Sequence, residues 1–231
     1  MNDRSPFRCG PEKQRGKAES RGAGVAPAVF LPRGSTLNTR SRRLPHWEVK
    51  EAVYFVTFRL ADSLPSKALQ KVIFQREDIP ATAKQMNRTL MPSERTKEDQ
   101  LRARRIEKVL DAGEGECFLR NPKVAQIVVN VLKEFDGSRY LLFAWCVLPN
   151  HVHVLFQTIG NASLANILHS WKSYSAKVAN GILGRNCEFW QREYHDRLVR
   201  NAEEFERLVR YVMENPSSAG LRKWPWVWSS E

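Results

Sequence analysis

The stretch Leu148-Pro149-Asn150-His151-Val152-His153-Val154-Leu155-Phe156 follows directly on Tyr140-Leu141-Leu142-Phe143-Ala144-Trp145-Cys146-Val147. Both runs are rich in β-branched and aromatic residues, and Pro-Asn between them is turn chemistry, so the segment reads as a hairpin. Side chains alternate faces along a strand, which puts His151 and His153 on one side and Val152 and Val154 on the other. At about 3.3 Å of rise per residue the two imidazoles stand about 7 Å apart and can converge on one metal ion. The alternative is a pair of half-exposed histidines without a ligand, since imidazole is also a common surface group. The polar turn beside an apolar strand places the pair at the edge of a core, where sites tend to be built.

Outward from this hairpin, other elements follow from local signals. Val53-Tyr54-Phe55-Val56-Thr57-Phe58-Arg59-Leu60 reads as a central strand. Ser66 can cap a helix running to about Arg76, and Glu94 to Leu110 reads as a helix charged nearly all round. Asn121-Pro122 opens a helix with Val124, Ile127, Val128, Val131, Leu132 and Phe135 on one face. A second helix after Ser163 carries Leu164, Ile167, Leu168, Trp171, Tyr174 and Val178 on one face, with Lys172 and Lys177 off it. Arg197-Leu198-Val199-Arg200 reads as a short edge strand. Asn201 with Glu204 resembles a capping box and starts a last helix, expected to stop at Asn215-Pro216. The tail Trp224-Pro225-Trp226-Val227-Trp228 is expected to pack its aromatics on the domain.

The chain has 231 residues, is 42% hydrophobic and carries a formal net charge of +12. That size fits one domain with appendages, and that charge favours a polyanionic partner, nucleic acid before membrane. No run approaches the about 20 apolar residues of a membrane span, and no signal-peptide-like run opens the chain, so a cytoplasmic, nucleoid-associated protein is expected. Cys9, Cys117, Cys146 and Cys187 are scattered and read as reduced thiols. Residues 1–45, rich in Arg, Gly, Pro and Ser, read as a disordered basic arm. Expected contacts to nucleic acid are Arg42 and Arg43 on the arm, Lys172 and Lys177, and Trp190, Arg192 and Arg200 from an aromatic and basic stretch.

On the last helix Tyr211 and Asn215 are four residues apart and share a face. If that helix crosses the His151–His153 strand, two imidazoles, an amide and a phenol meet. Such a mixed nitrogen and oxygen set suits Mg²⁺ or Mn²⁺, which would polarise a scissile phosphate while the tyrosine attacks phosphorus. Spacing alone also permits Tyr211 as an ordinary half-buried helix tyrosine. Tyr174 competes for the nucleophile's role, although its place in an apolar stripe reads as core or as a base-stacking group.

With Trp190-Gln191-Arg192, Arg197-Leu198-Val199-Arg200-Asn201 and Tyr211-Val212-Met213-Glu214-Asn215-Pro216 added to Leu148-Pro149-Asn150-His151-Val152-His153, the chain resembles the single-tyrosine HUH transposases. Within them it is most similar to the REP-associated tyrosine transposases, domesticated bacterial relatives. The likeness covers about residues 46–222. It implies an α+β fold, a ferredoxin-like sandwich with a central antiparallel sheet, here with a charged helical insertion at 77–120 and a Trp-rich tail at 223–231. It implies metal-dependent nicking and rejoining of single-stranded DNA beside hairpin-forming repeats, through a covalent 5′-phosphotyrosine. In this reading Tyr211 is the nucleophile, and His151, His153 and Asn215 hold Mg²⁺ or Mn²⁺. Relatives use Gln at the last position, and both amides offer a carbonyl oxygen. The protomer is expected to act as a monomer, with a dimer as the alternative. Two other functions remain in view: a catalytically silent nucleic-acid-binding module, and a zinc hydrolase using water as nucleophile.

Overall fold

A computed structural model describes residues 38–41, 45–64, 106 and 108–230. The strands are β1 (Asn38–Ser41), β2 (Pro45–Glu48), β3 (Val53–Arg59), β4 (Tyr140–Val147), β5 (His151–Thr158), β6 (His195–Leu198) and β7 (Val227–Ser229). The helices are α1 (Pro122–Lys133), α2 (Leu164–Ile182) and α3 (Ala202–Ser218). The expected helices before residue 106 lie outside the described residues, as do Arg42 and Arg43. At the near end of the charged segment, residues 108–111 are helical and Phe118–Arg120 form a 3-10 turn.

Five strands form one sheet in the order β6-β3-β5-β4-β7, every neighbouring pair antiparallel. With α1 between β3 and β4 and α2 between β5 and β6, this is the β-α-β-β-α-β order of a ferredoxin-like sandwich, extended at one edge by β7. The hairpin of the opening stretch is β4–β5, and β5 is the middle strand. Both faces of the sheet are covered, which is why its central strands read as continuous apolar runs. Tyr54, Val56, Phe58, Val152, Val154 and Phe156 point to the α1–α2 side. Val53, Phe55, Ala144, Cys146 and Leu155 point to the opposite side, where α3 supplies Phe205, Leu208 and Val212.

A bulge in β4 between Leu142 and Ala144 makes this two-sided packing work. Phe143 and Ala144 both fall on the α3 side, while Leu142 and Trp145 face α1 and α2. One extra residue thus switches the alternation mid-strand. The tail packs back as expected, and does so as a strand. β7 pairs with β4, Trp228 stacks on Trp145 at 6.3 Å, and the Trp224 indole donates to the Val147 carbonyl at 2.7 Å.

Several expectations need correction. Asn38–Ser41, inside the stretch expected to be a disordered arm, pairs antiparallel with Pro45–Glu48. The last helix does not stop at Asn215; it continues to Ser218 with Pro216 inside it. Proline removes only its own N–H, and the following amides still close the turn, with Ala219 N donating to Asn215 O and Leu221 N to Pro216 O. Edge strand β6 begins two residues earlier than expected, at His195. The buried face of α2 runs through Leu164, Ile167, Leu168, Trp171, Ser175 and Ala179, and Tyr174 is 38% exposed. Ser175 takes the core place because its hydroxyl has buried partners: it donates to the Trp171 carbonyl at 2.6 Å and accepts the Trp190 indole at 2.8 Å. No helix among the described residues is long and apolar enough to cross a membrane.

Removing one member of a buried hydrogen-bonded pair leaves the other unsatisfied, at a cost of about 1–3 kcal/mol. Ser175→Ala, which strands the Trp190 indole, is therefore expected to lower stability by about 1–3 kcal/mol in urea unfolding. Tyr174→Ala should cost about 0.5 kcal/mol, as for a surface position. A larger loss at Tyr174 than at Ser175 would contradict this placement of the helix face.

Candidate metal and nucleophile site

The α3 side of the sheet is apolar near Leu155 and becomes polar toward the β4–β5 turn. Register pairs Arg59 with His151 and Thr57 with His153 across β3–β5. Thr57 also pairs with His195 across β3–β6. Both histidines of β5 are buried, at 1% and 0% exposure, so each ring nitrogen must find a partner inside the protein. The Nδ1 atoms do so at the outer side. His151 Nδ1 lies 2.7 Å from Asn150 Oδ1, and His153 Nδ1 lies 2.8 Å from Thr57 Oγ1. The Nε2 atoms face one another at 3.1 Å.

These partners fix the chemistry of the rings. Asn150 Nδ2 donates to the Glu114 carbonyl at 2.9 Å, which sets the orientation of the amide. Asn150 Oδ1 can only accept, so His151 Nδ1 carries hydrogen, and in the neutral ring Nε2 keeps its lone pair. Thr57 can donate or accept, so the His153 tautomer follows whatever occupies the space between the Nε2 atoms. An oxygen that holds Nδ1–H is the usual device for presenting Nε2 to a metal. Burial, then the charges of His153 and Arg59, hold His151 well below the ordinary histidine range. Burial, then the charge of His195, brings His153 down to about 3. Both rings are therefore neutral at physiological pH, as metal ligands must be.

The last helix brings the other half. Asn201 Oδ1 accepts from Glu204 N at 2.8 Å, as the capping signal implied. Glu204 in turn accepts from Arg200 N at 3.0 Å and pairs with Arg197 of β6. These contacts hold α3 against the site side of the sheet. The Tyr211 ring stands 5.4 Å from the His153 ring and 5.9 Å, edge-on, from Phe55, which itself stacks on His153. Asn215 Nδ2 donates to Tyr211 Oη at 2.8 Å. Asn215 is 3% exposed, and its Oδ1 is buried with no hydrogen-bond partner. An unsatisfied buried carbonyl oxygen needs an explanation, and binding of a cation would be one.

The donors fit a divalent ion. Two nitrogens each about 2.1 Å from one ion are about 3.0 Å apart at a right angle and about 3.4 Å apart at a tetrahedral one. The observed 3.1 Å is a hydrogen-bond separation that is also close to that of two nitrogens on one ion. Among the described residues no group of three or more His, Cys, Asp or Glu side chains is placed to hold a metal ion. Two imidazoles and one amide would leave positions on an ion open for a substrate oxygen, unlike a structural zinc site.

The other expected site residues divide. Tyr174 lies on α2, across the sheet from His153, and cannot share a site with it. Trp190 is 4% exposed and its indole is bonded to Ser175, so it is a core residue with no face for a base to stack on. The Lys172 amine donates to the carbonyls of Gln191 and Arg192 at 2.7 and 2.8 Å, and burial brings it down to about 8. It ties α2 to the following loop and is not a spare cation for phosphate. Lys177, Arg192 and Arg200 are exposed. Sequence reasoning missed Thr57, whose signal was a threonine in a mostly apolar strand. Asn150 was read only as turn chemistry.

Below pH 6.5 an unfolded histidine takes up a proton that the buried ring refuses. Stability is thus fully present above 6.5 and falls as pH drops toward 3, by at most about 1.4 kcal/mol per pH unit for one ring. Urea midpoints of the metal-free protein should fall between pH 7 and 4, and His153→Gln should flatten that dependence. An equally steep fall in His153→Gln would contradict the buried, neutral state of this ring.

Residues 119–215, which include both histidines, Tyr211 and Asn215, match the family described as "Transposase IS200 like". The expected resemblance to single-tyrosine transposases holds over this segment. The chain is similar to a REP-associated tyrosine transposase solved bound to a REP hairpin, with 16% identity, 81% of each chain covered and a TM-score of 0.43. It is also similar to a putative transposase from Deinococcus radiodurans R1, with 12% identity, 76% of this chain and 95% of that chain covered, and a TM-score of 0.28. No curated protein matches the sequence.

Proposed function

We propose, for a chain whose residues 119–215 match the IS200-like transposases, that it nicks and rejoins single-stranded DNA through a covalent bond to Tyr211. The observation that carries the reading is the shared face. The Tyr211 phenol accepts a hydrogen bond from Asn215 while its ring packs on His153, itself 3.1 Å from His151 Nε2 to Nε2.

His151 and His153 would hold the ion through Nε2, and Asn215 through its unsatisfied Oδ1. When bound, Mg²⁺ or Mn²⁺ supplies Lewis-acid polarisation of the scissile phosphate. The chain's own groups do the rest. Asn215 divides its amide between two tasks: Nδ2 donates to Tyr211 Oη and stabilises charge on the phenolate, which leaves Oδ1 turned elsewhere. Thr57 and Asn150 hold the imidazoles so that nothing reorients during the reaction. Tyr211 Oη forms a bond to phosphorus and the P–O3′ bond breaks. The phenol proton passes to solvent, and the departing 3′ oxygen takes one up. Attack by another 3′-hydroxyl on the phosphotyrosine reverses these changes and joins the strands. The net charge of +12 favours a polyanionic substrate, and hairpin-forming repeat DNA is the substrate the resemblance implies.

The test incubates the protein with Mn²⁺ and labelled single-stranded DNA containing an imperfect hairpin, then resolves denatured adducts. A covalent adduct is expected for the wild type, reduced at least about a thousandfold in Tyr211→Phe, as for loss of a nucleophile. Chelation should abolish it as well. Adduct persisting in Tyr211→Phe would remove the assignment, and salt-sensitive binding with no adduct in any protein would leave a binding module.

A further inference from the structure

Arg207, Tyr211 and Asn215 follow one another at four-residue steps on α3 and so form one stripe along the helix. The tyrosine and the asparagine belong to the site described above. Arg207 stands one turn, about 5.4 Å, before the tyrosine. We propose that Arg207 binds the DNA phosphate next to the scissile one, so that the single strand passes over the first half of α3 on its way into the site. The inference rests on the reading of Tyr211 as the nucleophile.

The guanidinium is available for an anion. Glu204 stands three residues before it, but that buried carboxylate is engaged elsewhere: it pairs with Arg197 of β6 and accepts from Arg200 N at 3.0 Å. Arg207 Nη2 lies 3.8 Å from the same carboxylate, beyond hydrogen-bond reach, and the side chain is 63% exposed. An exposed ion pair at that separation contributes little, so a phosphate can take its place. A guanidinium also presents a planar fork of donors that meets two phosphate oxygens at once.

Charge changes along the stripe. At its start Arg197, Arg200 and Arg207 gather around Glu204, with Glu203 beside them, and this end stays cationic. Beyond the tyrosine, Glu214 follows by three residues and is exposed, so this end is acidic. A phosphate backbone is attracted to the end before Tyr211 and repelled from the end after it. The spacing agrees with this path. Successive nucleotides of a strand rise about 3.4 Å when stacked and more when extended. One helical turn of about 5.4 Å, from Tyr211 back to Arg207, is a step of that size.

The test measures single-turnover adduct formation by the full-length protein with Mn²⁺ and the labelled hairpin DNA, over a range of DNA and salt concentrations. Arg207→Gln should raise the half-saturating DNA concentration about tenfold, the low end for a hydrogen bond to a charged group. It should also lower the slope of log affinity against log salt by about 0.7, the value for one single-strand phosphate contact, with the maximal rate kept. Arg210→Gln removes the same charge beside Tyr211 but off the stripe, and should change half-saturation less than twofold. A DNA with a neutral methylphosphonate next to the scissile phosphate, on one side or the other, should bind the wild type more weakly and Arg207→Gln no more weakly than unmodified DNA does. Equal effects of Arg207→Gln and Arg210→Gln would overturn the inference, as the mark of net charge alone. So would a fall in maximal rate at unchanged half-saturation, or methylphosphonate penalties that are the same in wild type and Arg207→Gln at both positions. Each of these outcomes leaves the nucleophile reading intact, whereas a wild type that forms no adduct would overturn both.

Discussion

Two buried, neutral imidazoles on the middle strand of a sheet constrain everything around them. A buried polar nitrogen without a partner costs about 1–3 kcal/mol, so four ring nitrogens must be satisfied in a space closed to water. The protein answers with Thr57 and Asn150 on the outer nitrogens and brings the inner two to 3.1 Å. Two lone pairs at that separation repel unless a proton or a cation lies between them. A neutral N–H···N bond between the rings satisfies both, with Thr57 donating to His153 Nδ1; the Thr57 hydroxyl can also reverse its hydrogen bond, the state in which both Nε2 lone pairs would be free for the proposed ion.

The fold packs both faces of the sheet that carries these rings. Helices α1 and α2 seal the far face of the sheet over Val152 and Val154. On the near face α3 packs Phe205, Leu208 and Val212 over Leu155, which stands Tyr211 beside His153 and Asn215 against the Tyr211 hydroxyl. The bulge at Phe143 keeps β4 in step with both layers. Arg197 and Glu204 anchor the start of α3 to the sheet edge, which fixes the rotation of the helix and hence the direction of its tyrosine.

Much of this was legible in the sequence, and the exceptions have physical causes. The His151–His153 pair, the Asn121 and Asn201 caps and the Tyr211–Asn215 spacing are local patterns, and each survives in the structure. Tyr174 looked like core because periodicity scores an aromatic above a serine. Tertiary partners decided otherwise, since Ser175 can satisfy the Trp190 indole and Tyr174 cannot. Trp190 looked like a stacking platform because an aromatic among basic residues has that look when burial is unknown. Helix α3 passes Pro216 because packing overrides a boundary preference that is only statistical. Thr57 was invisible as a site residue, because what brings it to His153 is contact between distant segments.

The central claim is that both histidines present Nε2 to a single ion. Pulsed electron paramagnetic resonance on the Mn²⁺-loaded protein addresses it directly, through the ¹⁴N couplings of the bound imidazoles. Couplings from two imidazole nitrogens are expected in the wild type, with one lost in His153→Gln. A spectrum with no directly bound nitrogen, or one unchanged by that substitution, would contradict the account.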